Sequence, residues 1–205
     1  MKKKVLVVDL DGTLFKINTF HHFIKYLIIH CIKNFNIVLL LKILFAMVFR
    51  LLKITTHAQM KYAILKAISN NKNIDCQKFV NRISIKKRHL SILNDTSFDI
   101  KILATAAPSC YATIIAKNEN FDVCLGTNFT DSAFDETFEN SKEIKKNNIV
   151  NYLKNKEITQ IDTLVTDHID DLPIMKLATH NIIVSPNDNL TNKLKQNAIA
   201  FETIL

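Results

Sequence analysis

From Phe98 onward the chain falls into short apolar runs separated by segments with helical spacing, and this alternation limits the folds open to it. Ile100 to Ala104 reads as a strand, Pro108 to Asn118 as a helix and Phe121 to Leu125 as a strand. The series continues with a helix over Lys142 to Leu153, a strand over Thr163 to Val165, a helix over Pro173 to Thr179 and a strand over Asn181 to Val184. One more strand opens the chain: Lys3 to Asp9, a run of Val and Leu ending in carboxylates and a Gly-Thr turn. Strands alternating with helices predict a parallel sheet covered on both faces. The expected fold class is α/β, with a Rossmann-like parallel sheet core.

The stretch after the first strand obeys another rule. Residues from about 18 to 70 look helical throughout, with long apolar stretches and no Gly or Pro to interrupt them. From Phe15 to Ile74 there are nine cations (Lys16, Lys25, Lys33, Lys42, Arg50, Lys53, Lys61, Lys66, Lys72) and no Asp or Glu. Nine positive charges against a total of +8 leave the remainder of the chain at −1. The basicity belongs to one segment, and this composition boundary marks an insertion. We expect an α/β core from 1–14 and 91–205 and an all-helical unit over 15–90.

With 48% hydrophobic and 22% charged residues, disordered and low-complexity readings are excluded. Only 2 glycines occur, where ~7% usage would give about fourteen, so a glycine kept in a turn marks backbone that needs it. Cys31, Cys76, Cys110 and Cys124 lie far apart without metal-ligand spacing and read as small buried hydrophobes in a reducing compartment. Lys2 to Lys4 resemble the charged start of a signal peptide, but the apolar run stops at Val8. The expected compartment is the cytoplasm.

Reactive sites in such sheets lie beyond the carboxyl ends of the strands. There the sequence places Asp9, Asp11, Gly12 and Thr13, then Thr105, then Thr166, Asp167, His168, Asp170 and Asp171. Asp9 and Asp11 flank one residue, so both carboxylates can face one crevice. At ~4 Å each like-charged pair costs ~1 kcal/mol in water and ~4 at an effective dielectric of 20. A divalent cation would offset this, and all-oxygen ligands select a hard ion such as Mg²⁺.

DLDGTL at Asp9 to Leu14 resembles the first motif of the haloacid-dehalogenase-like hydrolase superfamily. Thr105 after a strand, a basic helix start near Lys145, and the Asp167/Asp171 pair followed by Leu-Pro come in that family's order. The resemblance implies a phosphatase, since true dehalogenases of this superfamily lack a carboxylate at the place of Asp11. It implies that Asp9 is the nucleophile, forming an aspartyl-phosphate, and that Asp11 is the general acid and then base. Thr105 would bond a phosphoryl oxygen and Lys145 would neutralise it, with Lys146 and Lys142 as alternatives to Lys145. Lys145 is preferred because Ile149 and Leu153 follow it at helical spacing. Mg²⁺ would be held by Asp9, Asp167 and the Asp11 backbone carbonyl, with Asp171 orienting that shell. Thr166 and His168 stand where the family usually has Gly and a small residue. Asn18 stands where phosphoserine phosphatases carry a glutamate for the substrate amine, which disfavours phosphoserine as substrate.

The insertion falls where this family places a mobile cap that closes over the site. In Ile37 to Leu52, 14 of 16 residues are apolar. Sixteen residues rise ~24 Å against a ~30 Å hydrocarbon core, and a crossing would put Asp9 and Asp167 on opposite sides of the membrane. A single span is therefore excluded. The stretch is read first as a buried cap helix and second as a surface docking on anionic lipid at the inner face of the membrane. The segment is loosely similar to caps of phosphatase-like domains fused to membrane polyprenyl-transferases, which suggests a lipid or isoprenoid phosphate substrate. His21, His22, His30 and His57 lack acidic partners within the segment, so no metal site is expected there. The rival reading is a weakly catalytic fold serving as a basic membrane- or nucleic-acid-binding module; nucleic acid is not expected as a partner.

Overall fold

The computed structural model describes residues 3–71 and 73–205; Lys2 and Lys72, named above, lie outside the described residues. Six strands form one sheet: β1 (Val5–Val8), β2 (Ile100–Pro108), β3 (Val123–Thr127), β4 (Ile161–Thr166), β5 (Ala178–Val184) and β6 (Glu202–Ile204). Their order is β3-β2-β1-β4-β5-β6, and each neighbouring pair is parallel. β1 shows why its residues read as a continuous apolar run. Leu6 and Val8 enter one hydrophobic core and Val5 and Val7 the other, and all four are fully buried. The strand order reverses between β1 and β4, and at such a switch point the loops diverge and leave a crevice.

Four helices stand between β1 and β2: α1 (Thr19–Lys33), α2 (Ile37–Leu51), α3 (His57–Ile68) and α4 (Cys76–Ile83). The segment is thus not helical throughout, although no glycine or proline breaks it. Asn18, Asn36, Thr56 and Asp75 each accept a backbone N–H at the start of a helix, and Phe35 and Lys53 turn the chain at positive φ. The remaining helices are α5 (Ser109–Asn118), α6 (Lys142–Lys154), α7 (Leu172–Met175) and α8 (Asp188–Gln196).

Three expectations are corrected. The helix read over Pro173 to Thr179 stops at Met175, and β5 begins at Ala178, because exposed Thr179 and His180 continue a strand edge. Of the cysteines only Cys31 is buried; Cys76 and Cys110 meet at the α4–α5 contact, where their thiols share a hydrogen bond. Most consequentially, α2 is not a buried helix. It buries Leu39, Ile43 and Ala46 and leaves its other large apolar side chains more than a third exposed, apart from Leu40 and Met47.

The helical segment touches the core on two sides. Phe23 of α1 and Phe79 of α4 pack on Tyr111 of α5, whose hydroxyl lies 3.0 Å from that of Thr19. On the other side Tyr62 of α3 packs among Phe129, Phe134 and Phe138 and donates to the Ser132 carbonyl at 2.6 Å.

Candidate active site

Asp9 leaves β1 at the switch point with its N–H donating to the Val165 carbonyl of β4 at 2.9 Å. Its Oδ1 accepts from Lys145 Nζ at 2.7 Å. The same ammonium spans both oxygens of Asp171 at 2.8 and 2.9 Å. Lys145 reaches this point because Ile149 and Leu153 bury the same face of α6. Of the other two lysines weighed for this place, Lys146 pairs with Glu143 at the surface and Lys142 lies 4.0 Å from Asp170. Burial opposes the charge on Lys145, yet Asp171 and Asp9 outweigh it and hold the ammonium well above the ordinary lysine range. Burial pushes Asp9 up to about 7, with Lys145 opposing and Asp171 and Asp167 adding to the rise.

Gly12 turns the chain at φ 81°, and a Cβ there would stand 1.9 Å from Asp167 Oδ2. The turn therefore requires glycine twice over, for its dihedral and for the carboxylate that lies against it. Thr13 fixes Asp167 by donating to Oδ1 at 3.1 Å. Thr166, in the place of the family's usual glycine, donates to Asp171 Oδ2 at 2.6 Å, so this departure holds the acid that holds Lys145. His168 is largely exposed and accepts the Asp170 N–H through Nδ1 at 3.2 Å.

Asp11 Oδ1 accepts the Thr19 N–H at 2.8 Å, which ties it to the first turn of α1. Burial raises its carboxyl, while Thr19, Lys61 and Lys145 pull it down. Asn18 uses its side-chain oxygen to cap α1, accepting the His21 N–H at 2.9 Å. Thr105 is not after a strand but inside one, since β2 continues to Pro108 through a break in register. Its Oγ1 accepts the Ala107 N–H at 3.0 Å, which leaves the hydroxyl proton to donate. Asp9, Asp11, Thr105, Lys145, Asp167 and Asp171 all line one cleft of about 450 Å³, with Lys16, Ile17 and Asn18 at its helical side.

Sequence reasoning missed two supports of this cleft. Arg88 donates to the carbonyls of Thr13 and Gly12 at 3.2 and 3.5 Å, bracing the turn from behind. Lys61 is buried on α3 and donates across to the Ala106 carbonyl at 2.7 Å and to Glu139. The signal was a lysine on the buried face of its helix, three and four residues before Ile64 and Leu65. His57 joins the cluster, Nδ1 lying 3.3 Å from Glu139. A histidine read as lacking an acidic partner thus finds one in the core.

Burial pushes Glu139 up, but His57 and Lys61 outweigh it and hold the carboxyl at about 2. A folded value below the ordinary 4.5 means the pair stabilises above that pH and loses its contribution as pH falls toward 2. Glu139→Gln should cost roughly 2–3 kcal/mol in urea unfolding at pH 7, less than a fully buried pair because Glu139 keeps some water contact. The cost should shrink between pH 4.5 and 2. A cost independent of pH would mean the carboxylate charge is not what holds Lys61.

The donor chemistry suits a hard divalent cation. Five aspartates line the cleft beside Lys16, Lys142 and Lys145, and burial raises the carboxyls of Asp9, Asp11 and Asp167. Among the described residues no three His, Cys, Asp or Glu side chains form a metal cage. Two carboxylates, a backbone carbonyl and water are the kind of set Mg²⁺ accepts, since it dehydrates reluctantly.

The family model of the haloacid dehalogenase-like hydrolases matches residues 6–176. No curated protein matches the chain. Among solved structures, a protein of unknown function from Bordetella pertussis Tohama I superposes with a TM-score of 0.76 at 15% identity, covering 100% of this chain and 99% of that one. A HAD family hydrolase from Salmonella enterica serovar Typhi gives 0.63 at 11% identity, over 99% of this chain and 68% of that one. A phosphoserine phosphatase with an analogue of its phospho-aspartyl intermediate gives 0.57 at 15%, over 94% and 91%. These likenesses concern the fold, and the family model concerns the chain from β1 through α7: the protein belongs to the haloacid dehalogenase-like hydrolases.

Proposed function

We propose that the protein is a Mg²⁺-dependent phosphomonoester hydrolase working through an aspartyl-phosphate on Asp9. The observation that carries this reading is the buried Lys145 bridge between Asp9 and Asp171, set beside Asp11 in one cleft. Asp9 attacks phosphorus as the bond to the leaving oxygen breaks, and Asp11 gives that oxygen a proton. Water then attacks the same phosphorus, Asp11 takes its proton, and inorganic phosphate leaves Asp9. Burial of Asp11 works in the direction a general acid needs. Thr105 and Lys145 stabilise charge on the transferring group. Asp9, Asp167 and the Asp11 carbonyl would hold Mg²⁺, which neutralises phosphoryl charge when bound. The helical unit over 15–90 acts as a cap on the core 1–14 and 91–205, anchored through Lys61 and Tyr62.

A phosphorylated lipid or isoprenoid is the substrate class we favour. In support, residues 15–74 of the cap carry no acidic side chain to repel a phosphate, and Asn18 gives no carboxylate for a substrate amine. Purified protein should hydrolyse p-nitrophenyl phosphate with Mg²⁺, lose more than 90% of turnover in excess EDTA, and regain it when Mg²⁺ is restored (about a tenfold effect or larger, ~1.4 kcal/mol of barrier). Turnover indifferent to EDTA would overturn the metal assignment; no turnover of any phosphomonoester, lipid phosphates included, would overturn the reading itself.

A further inference from the structure

Thirteen of the sixteen exposed large hydrophobic side chains among the described residues lie between Ile29 and Ile54. They are centred on α2. At about 100° per residue, Ile37, Val38, Leu41, Phe45, Val48 and Phe49 share an arc of about 120° that contains no polar residue. Val38 is 68% exposed and Phe45 58%, where an ordinary cap helix would turn such residues inward. Phe35, at the turn before α2, is 88% exposed, and Ile54, beyond its end, 65%. A monomer rarely leaves a continuous apolar face of this extent uncovered.

The charges around the face have one sign. Lys42 sits at its edge, about 20° beyond Phe49 on the helical wheel. Lys33, the last residue of α1, and Lys53, in the turn after α2, stand at either end, whereas Arg50 lies about 160° from the centre of the arc, on the far side of the helix. All four are exposed, and the segment has no Asp or Glu to pair with them. A second copy docked through the same face would set like rims against each other. A bilayer with anionic headgroups meets both features at once, since it takes the apolar arc between acyl chains and the cations among the headgroups. No helix of the described residues is long and apolar enough to cross a membrane, so the face would lie in the interface.

We infer that α2 and its two flanking turns form an interfacial docking surface for an anionic lipid bilayer. The surface leads toward the cleft. After Ile54 the chain returns to the core, where the His57 ring lies 5.8 Å from Phe20 and 6.4 Å from His21, one turn from Asn18 in the cleft wall.

The test reads binding, so it stands apart from the hydrolytic reading. Full-length protein should co-sediment with phosphatidylglycerol/phosphatidylcholine vesicles, far less with phosphatidylcholine alone, and salt should release part of it. The triple variant Val38→Gln, Leu41→Gln, Phe45→Gln should lose at least tenfold in partitioning while its circular dichroism and p-nitrophenyl phosphate turnover stay at wild-type level. The variant Lys33→Gln, Lys42→Gln, Lys53→Gln should lose roughly fivefold per cation on anionic vesicles and nothing on neutral ones. Wild type ignoring anionic vesicles at low salt overturns the inference. So does a dimer in sedimentation equilibrium that the triple apolar variant dissociates, for then a second copy covers the face.

Discussion

Asp9→Asn should lower phosphatase turnover by roughly 10⁴-fold or more while leaving the fold intact. The amide keeps the shape of the side chain, and its oxygen can still accept from Lys145 Nζ, as Asp9 Oδ1 does at 2.7 Å. What it loses is the anionic nucleophile. The variant should also fail to take up label from a phosphorylated substrate, whereas wild type quenched in acid should carry a hydroxylamine-sensitive acyl phosphate. Residual turnover within tenfold of wild type, under ~1.4 kcal/mol of barrier, would remove the covalent mechanism. Asp11→Asn provides the contrast. It should still be labelled by substrates with good leaving groups and then release phosphate slowly, because the proton matters least for such leaving groups and most for the attacking water. Equal losses in the rate of labelling for good and poor leaving groups would take the acid role away from Asp11.

The residues of this centre differ in how far the sequence announces them. β1 and its turn are local: four apolar residues, two carboxylates and a glycine fix a strand end by short-range rules, and Gly12 does have positive φ. Lys145 is nearly local. Its face is set by Ile149 and Leu153, and the same spacing brings the ammonium inward. Lys61 could have been suspected from its own helix, but Glu139 and His57 could not, because their meeting depends on how α3 lies on the loop before α6. Thr166 looked like a departure from the family pattern, and only the fold shows its hydroxyl against Asp171.

α2 marks the limit of such reading in physical terms. Fourteen apolar residues of sixteen state that a surface will be covered, but not by what. A core helix and an interfacial helix share this composition, and they part only when the neighbours are in place. Here the neighbours cover Leu39, Ile43 and Ala46 and leave the opposite arc bare. α8 and β6 escaped for a plainer reason: Asp188 to Gln196 is mostly polar, and the three residues of β6 are too few to show a period.

Lys145→Met should be costly twice, in stability and in turnover. The methionine fills most of the volume but leaves Asp9 and Asp171 facing each other without the ammonium that both now bind. Removing one partner of a buried ionic cluster costs roughly 3–5 kcal/mol. The sign with pH follows from the orphaned acids. The folded value of Asp9, already raised to about 7, rises further above that of the unfolded chain once the ammonium is gone, so the variant binds more protons folded than unfolded, and stability falls as pH rises through that window. The deficit against wild type should therefore be larger at pH 8 than at pH 5 in urea unfolding without metal. Mg²⁺ should restore more stability to the variant than to wild type, because a cation that binds only the folded state stabilises it most where negative charge is least compensated. Turnover should fall by roughly 10³-fold even with Mg²⁺ saturating, since the lysine also meets charge on the transferring phosphoryl group. Lys146→Met, whose parent side chain pairs with Glu143 at the surface, should change neither quantity appreciably. If Lys145→Met lost stability but kept its turnover, Lys145 would be a structural strut between two acids and the phosphoryl role would have to pass to Lys142 at the cleft edge.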